Sequence, residues 1–176
     1  MPILVGFWSY SRCDDVHSDG HLSLLRCLMG KALALQHGAD IVIWQDIQSM
    51  PTGSDWAASI ERSIGQALFF IPIITPRYLK SKNCLAEFQS FRHRMLELGC
   101  DDLIFPILYV SVGQISAEDT VFGSNLEALL RHQWTDFRQL RHVDCHSHEV
   151  RARIDELAEY ILRVAVPVLQ ARTCGP

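Results

Sequence analysis

The chain has 176 residues and a mass of 20.0 kDa, with 48% apolar and 20% charged residues, which fits one globular domain and excludes disorder as its main state. Sixteen Lys and Arg against twenty Asp and Glu give a formal charge of −4 and a pI near 6.0, with no basic run to neutralise phosphates, so no nucleic-acid partner is expected. No apolar stretch approaches the ~20 residues of a bilayer span, because Arg77, Lys80 and Lys82 break the longest one, and no membrane partner is expected either.

Taken in order, Ile3 to Trp8 is an apolar run without a basic lead-in, followed by polar Ser9-Tyr10-Ser11-Arg12, and predicts a strand rather than a signal peptide. Leu22, Leu25, Met29, Ala32 and Leu33 recur at helical spacing up to Gly38, a residue suited to the position after a helix. Ile41 to Trp44 predicts the second strand. The polar stretch Gln45 to Asp55 contains Pro51 and Gly53, and a helix capped by Ser54 or Asp55 follows with Trp56, Ile60, Ile64 and Ala67 on its apolar face. Leu68 to Ile74 is apolar throughout, as in a strand buried on both faces, although Pro72 must fall at a gap in the ladder or shorten the strand.

After Thr75-Pro76 the spacing predicts a helix carrying Cys84, Phe88, Phe91, Met95 and Leu98, closed by Gly99. Leu103 to Val110 predicts a fourth strand, Asn125 to Arg131 a short helix, Gln133 to Phe137 an edge strand and Val150 to Val164 a last helix. Five βα units predict an α/β fold: a flavodoxin-like five-stranded parallel sheet with helices on both faces, forming one domain over residues 1–170 with a flexible tail at 171–176. In that order the first and third strands are neighbours, and a crevice opens at their carboxyl ends between Ser9–Gly20 and Thr75–Asn83, with Gln45–Asp55 beside it.

The six scattered cysteines (Cys13, Cys27, Cys84, Cys100, Cys145, Cys174) lack disulfide-scaffold density and zinc spacing, which implies reduced thiols and a cytoplasmic location. His142, Cys145, His146 and His148 match no usual zinc pattern, so no metal is expected. No glycine-rich fingerprint follows the first strand, which disfavours a dinucleotide-dependent dehydrogenase, although Asp46 ends the second strand where a ribose ligand would sit. A phosphoacceptor receiver is disfavoured because the third strand runs into Thr75-Pro76 instead of an Asp. Glu87 lies about 60° from the buried stripe at ~100° per residue, near a helix start whose dipole favours an anion. If Asn83 caps that helix, Glu87 is not committed to a capping box; its alternative role is that of an ordinary solvated first-turn glutamate.

Phe7-Trp8-Ser9-Tyr10-Ser11-Arg12 with Asp14, Gln45-Asp46, Gly53-Ser54-Asp55-Trp56 with Ile60, and Phe70 to Leu79 followed by Ser81 and Cys84-Leu85-Ala86-Glu87-Phe88 together resemble the Toll/interleukin-1 receptor (TIR) domain of bacterial type. The resemblance implies Glu87 as catalytic residue, cleavage of the nicotinamide–ribose bond of NAD+, and no cofactor, NAD+ being the substrate. It implies substrate contacts from Tyr10, Ser11, Arg12, Asp46, Trp56 and Asn83, and homo-oligomeric assembly through the loop that carries Pro51 and Gly53. It further implies a bacterial immune effector coupled to a fused or separate sensor. Catalytic members often carry an aromatic residue where this chain has Asn83, which leaves Tyr10 and Trp56 to stack on nicotinamide. The competing expectation is a non-catalytic module that scaffolds partners by TIR–TIR contacts.

Overall fold

Apolar runs separated by amphipathic helices form a parallel sheet here, with the central strand covered on both faces. The computed structural model describes residues 4–45, 54–113 and 120–173. The sheet has the order β2-β1-β3-β4-β5, with all pairs parallel: β1 (Leu4–Ser9), β2 (Ile41–Gln45), β3 (Phe69–Ile74), β4 (Ile107–Leu108) and β5 (Thr135–Asp136). This is the flavodoxin-like order predicted from the sequence.

The helices are α1 (Arg12–His17), α2 (His21–His37), α3 (Ser54–Gln66), α4 (Pro76–Lys80), α5 (Lys82–Leu98), α6 (Thr120–Leu130) and α7 (His148–Thr173). The chain moves outward from β1 to β2 and then back across β1 to β3. Right-handed crossovers therefore place α2 and α3 on opposite faces. Accordingly α2 packs with α7, and α3 packs with α5. Gly38 and Gly99 end α2 and α5 in the left-handed conformation, with φ of 73° and 64°.

The centre of the core is an aromatic column. Phe7 and Phe70 are register partners on β1 and β3, with ring centroids 5.8 Å apart, and Phe70 stacks in turn on Phe91 of α5 at 5.2 Å. All three are buried, and every residue of β3 is buried. Beside the column, Gly6 has no side chain because the Phe69 ring occupies that space; a Cβ there would overlap the ring.

Pro72 does fall at a ladder gap. Phe70 bridges Ile104, the regular β3–β4 ladder resumes only at Ile73 opposite Ile107, and Pro106 lies on the other side of the gap. The predicted strand Leu103–Val110 is therefore reduced to a bridge and a two-residue ladder.

Further elements differ from the sequence prediction, among them α6, which runs Thr120–Leu130 and not Asn125 to Arg131. Short α1 occupies part of the first crevice loop; it buries no residue, so it has no apolar stripe to detect. The helix after Thr75-Pro76 is two helices joined at Ser81, which ends α4 and caps α5. Helix α7 continues through Ala171 to Thr173 despite Pro167, so the flexible tail does not begin at residue 171; Val168 and Leu169 keep packing on the core beyond the point where a proline reads as a stop. Residues 174–176 lie outside the described residues.

Since Phe69 is fully buried and its ring has no room to retreat, Gly6→Ala should destabilise the fold by about 1–3 kcal/mol, measured as a lower urea midpoint at unchanged slope.

Candidate functional site

Ser9 is the last residue of β1, opposite Pro72 of β3, at the carboxyl end of the sheet where the crossovers from β1 and β3 diverge. Facing it is Glu87 of α5. Cys84, Phe88, Phe91 and Met95 bury one face of that helix, and Glu87, one turn from Cys84 and next to Phe88, is carried under with them. It is only 3% exposed, which overturns its reading as a solvated first-turn glutamate. Its carboxylate accepts a 2.5 Å hydrogen bond from Ser9 Oγ. Tyr78 of α4 completes the cluster, with its hydroxyl 3.1 Å from Ser9 Oγ and 3.4 Å from the Cys84 carbonyl. Burial pushes the Tyr78 phenol well above its ordinary pKa of 10.0, with Cys84 and Glu87 adding to the shift and the Ser9 hydrogen bond opposing it.

The cap of α5 is Ser81, whose Oγ accepts from the backbone N–H of Cys84 at 3.3 Å. Asn83 is therefore not the cap. It is the second residue of the helix, exposed, and one turn before Glu87 on the same side.

The two crevice segments are joined by Asp14. Thr75 Oγ1 donates to Asp14 Oδ2 at 2.5 Å, and Arg77 Nε lies 3.2 Å from Asp14 Oδ1. Thr75 also caps α4 by accepting from the N–H of Tyr78 at 2.9 Å. The half-exposed Arg77 pair adds little in water, whereas the charge-assisted bond from buried Thr75 is the stronger link. Asp15 ties α1 to the first turn of α2, accepting from Ser23 N at 2.9 Å and Ser23 Oγ at 2.6 Å.

Of the residues singled out in the sequence, Glu87 occupies the buried end of the crevice. Tyr10 is half-buried, and its phenol is held up in pKa by burial and then by Asp15, against a hydrogen bond with Ser23 of α2. Ser11 is buried and leads into α1, its carbonyl accepting from the N–H groups of Asp14 and Asp15, while Arg12 is exposed at the first position of that helix. Asp46, Pro51 and Gly53 lie outside the described residues, as does the side chain of Trp56 on α3. Ser9, Tyr78, Thr75 and Arg77 fall in the crevice segments expected from the sequence, but the sequence did not single them out or show the bonds they make. The available signal was a lone polar residue closing an apolar strand, and a Thr-Pro pair marking a helix start.

No disulfide joins the described cysteines. Among the described residues no three His, Cys, Asp or Glu side chains converge on a metal-binding arrangement; Cys145 is buried while His142, His146 and His148 are exposed. A cleft of about 560 Å³ lined by Arg92, His93, Asp101, Asp102, Arg131 and His132 lies at the far half of α5, and neither Ser9, Tyr78 nor Glu87 lines it.

A flavodoxin-like sheet with a buried carboxylate at its β1/β3 switch point defines a class of α/β domain with a polar, preorganised crevice. The chain matches the TIR domain family over residues 30–158 and belongs to that family. The match starts inside α2, so β1 and the Ser9–Asp14 segment lie before it. No protein of curated function matches the chain. Among solved structures it is similar to the TIR domains in the structure of the activated Roq1 resistosome directly recognizing the pathogen effector XopQ, with 17% identity, a TM-score of 0.46, and coverage of 89% of this chain and 84% of that one.

Tyr109 Oη lies 2.6 Å from His21 Nδ1, and His21 Nε2 is buried with no hydrogen-bond partner among the described residues. Burial lowers the pKa of His21 below 6.5, against a smaller upward pull from Asp15, and burial does the same at His132. Below pH 6.5 the unfolded chain then binds more protons than the folded one, so stability falls with falling pH in that window. Urea midpoints measured from pH 7 to pH 5 should decline, and the decline should be shallower in His21→Gln.

Proposed function

We propose that this TIR domain is an NAD+ glycohydrolase in which Glu87 acts at the nicotinamide ribose, and that it works in the cytoplasm as an effector of bacterial immune defence. The observation that carries this reading is the burial of Glu87 at the carboxyl end of the sheet, hydrogen-bonded by Ser9, where a ligand of an open α/β sheet enters. A solvated surface glutamate would have no comparable electrostatic leverage.

The chemistry suits one carboxylate. The bond between the anomeric carbon and the pyridinium nitrogen breaks, its electron pair returns to the ring, and nicotinamide leaves neutral. Positive charge develops on the ribose as an oxocarbenium-like transition state. Glu87 accepts hydrogen bonds from the ribose hydroxyls and stabilises that charge. Water then attacks the anomeric carbon and loses a proton, giving ADP-ribose; attack by the adenine ring gives a cyclic product. In this reading Tyr10, Ser11, Arg12, Asp46, Trp56 and Asn83 contact the dinucleotide. Residues around Pro51 and Gly53 join chains head to tail, so that a neighbour completes each site. No helix among the described residues is long and apolar enough to cross a membrane.

Nicotinamide release by concentrated protein should fall at least ~100-fold in Glu87→Gln. Equal rates, or no release from the wild type at any concentration, would favour the scaffold function instead. Assembly makes a separate prediction: specific activity should rise with protein concentration, and Gly53→Pro should lower light-scattering mass and turnover together at unchanged circular dichroism.

A further inference from the structure

We propose that Ser9, backed by Tyr78, is a positioning residue that holds the Glu87 carboxylate ionised and in one orientation; the inference rests on Glu87 being the group that acts at the ribose. Three elements supply the three side chains: the end of β1, the short helix α4 and the first turns of α5. Ser9 is 1% exposed, Tyr78 0% and Glu87 3%, so water does not share in these bonds to any large extent.

Counting protons fixes the direction. A serine hydroxyl has one proton, and the 2.5 Å separation from Glu87 Oε2 is the length of an O–H···O⁻ bond, so Ser9 gives its proton to the carboxylate. At the 3.1 Å contact Ser9 Oγ is then the acceptor and Tyr78 the donor. The other acceptor for Tyr78, the Cys84 carbonyl, is more distant at 3.4 Å. Burial keeps the phenol protonated. The chain therefore runs from Tyr78 to Ser9 to Glu87 and ends on the one group that only accepts.

Such a chain polarises along its length and favours the charged form of its last member, offsetting the desolvation that would otherwise protonate it. A merely structural Ser9 would lower stability when removed and leave the properties of folded molecules alone. A positioning Ser9 would change the acid–base behaviour of Glu87.

The test uses the full chain with ¹³C-labelled glutamate carboxyls, the Glu87 signal being assigned by its loss in Glu87→Gln. In Ser9→Ala the Glu87 titration midpoint should rise by about one to two pH units, since a hydrogen bond to a charged group is worth that much. Ser9→Thr should restore it, and Tyr78→Phe should move it part of the way. The acid limb of kcat for nicotinamide release should shift in parallel, with kcat down ~10- to 100-fold at low pH and KM changed much less. An unmoved midpoint in folded Ser9→Ala overturns the proposal, and if that variant does not fold, an unmoved midpoint in Tyr78→Phe does so. A midpoint that moves in Ser9→Ala while the wild type never cleaves NAD+ removes the glycohydrolase reading and leaves the positioning of Glu87 by Ser9 standing, so the two failures are separable.

Discussion

The docking of α5 against β1 and β3 by the stacked rings of Phe7, Phe70 and Phe91 is the constraint on which the site depends. Each ring belongs to a different element, and the 5.8 and 5.2 Å spacings leave no room for the helix to slide. Because side chains on a helix are locked in phase, fixing Phe88 and Phe91 also fixes Glu87. The position of the carboxylate is thus determined by hydrophobic packing one turn away from it. Ser9 has the same relation to Phe7, two residues earlier on the strand and on the same face.

What this packing creates is a small polar enclave in an otherwise apolar sheet end. Ser9, Ser11, Thr75 and Glu87 are the buried polar residues of the described chain, and they gather at the carboxyl ends of β1 and β3 or in the first turns that follow. A carboxylate placed there costs desolvation, and an apolar residue of similar volume would make the core more stable. Sites that break the pattern of their own core are where function concentrates. Asp14 extends the enclave outward by tying α1 to Thr75 and Arg77, so that the two walls of the crevice are bonded to each other and not only to the sheet.

The closing glycines of α2 and α5 and the fully buried β3 were legible because they follow from local composition and period, and the sheet order because five βα units are usually wound in the flavodoxin-like way. Glu87 was legible as a candidate through its place in a motif. Its burial was not, since Ser9 lies 78 residues away in sequence and no spacing rule couples the two. The same holds for Thr75 and Asp14, which are 61 residues apart. Misplacing the cap at Asn83 had a local cause: two cap-forming residues, Ser81 and Asn83, stand two positions apart, and the extended backbone of Ser81 decides between them. Helix α7 shows the reverse case, in which partial burial of Val168 and Leu169 against the core accompanies a helix that runs past a proline that local rules treat as a terminator.

The gap opposite Pro72 gives the sheet a seam. On one side, β2, β1 and β3 form continuous ladders; on the other, β4 and β5 are joined to β3 through an isolated bridge and a two-residue ladder. Slow hydrogen exchange would divide along that line: amides of β4 and β5 are released in a partial opening, while those of β1 and β3 wait for global unfolding. The edge of the domain can therefore breathe while the aromatic column, and the carboxylate it carries, stay closed.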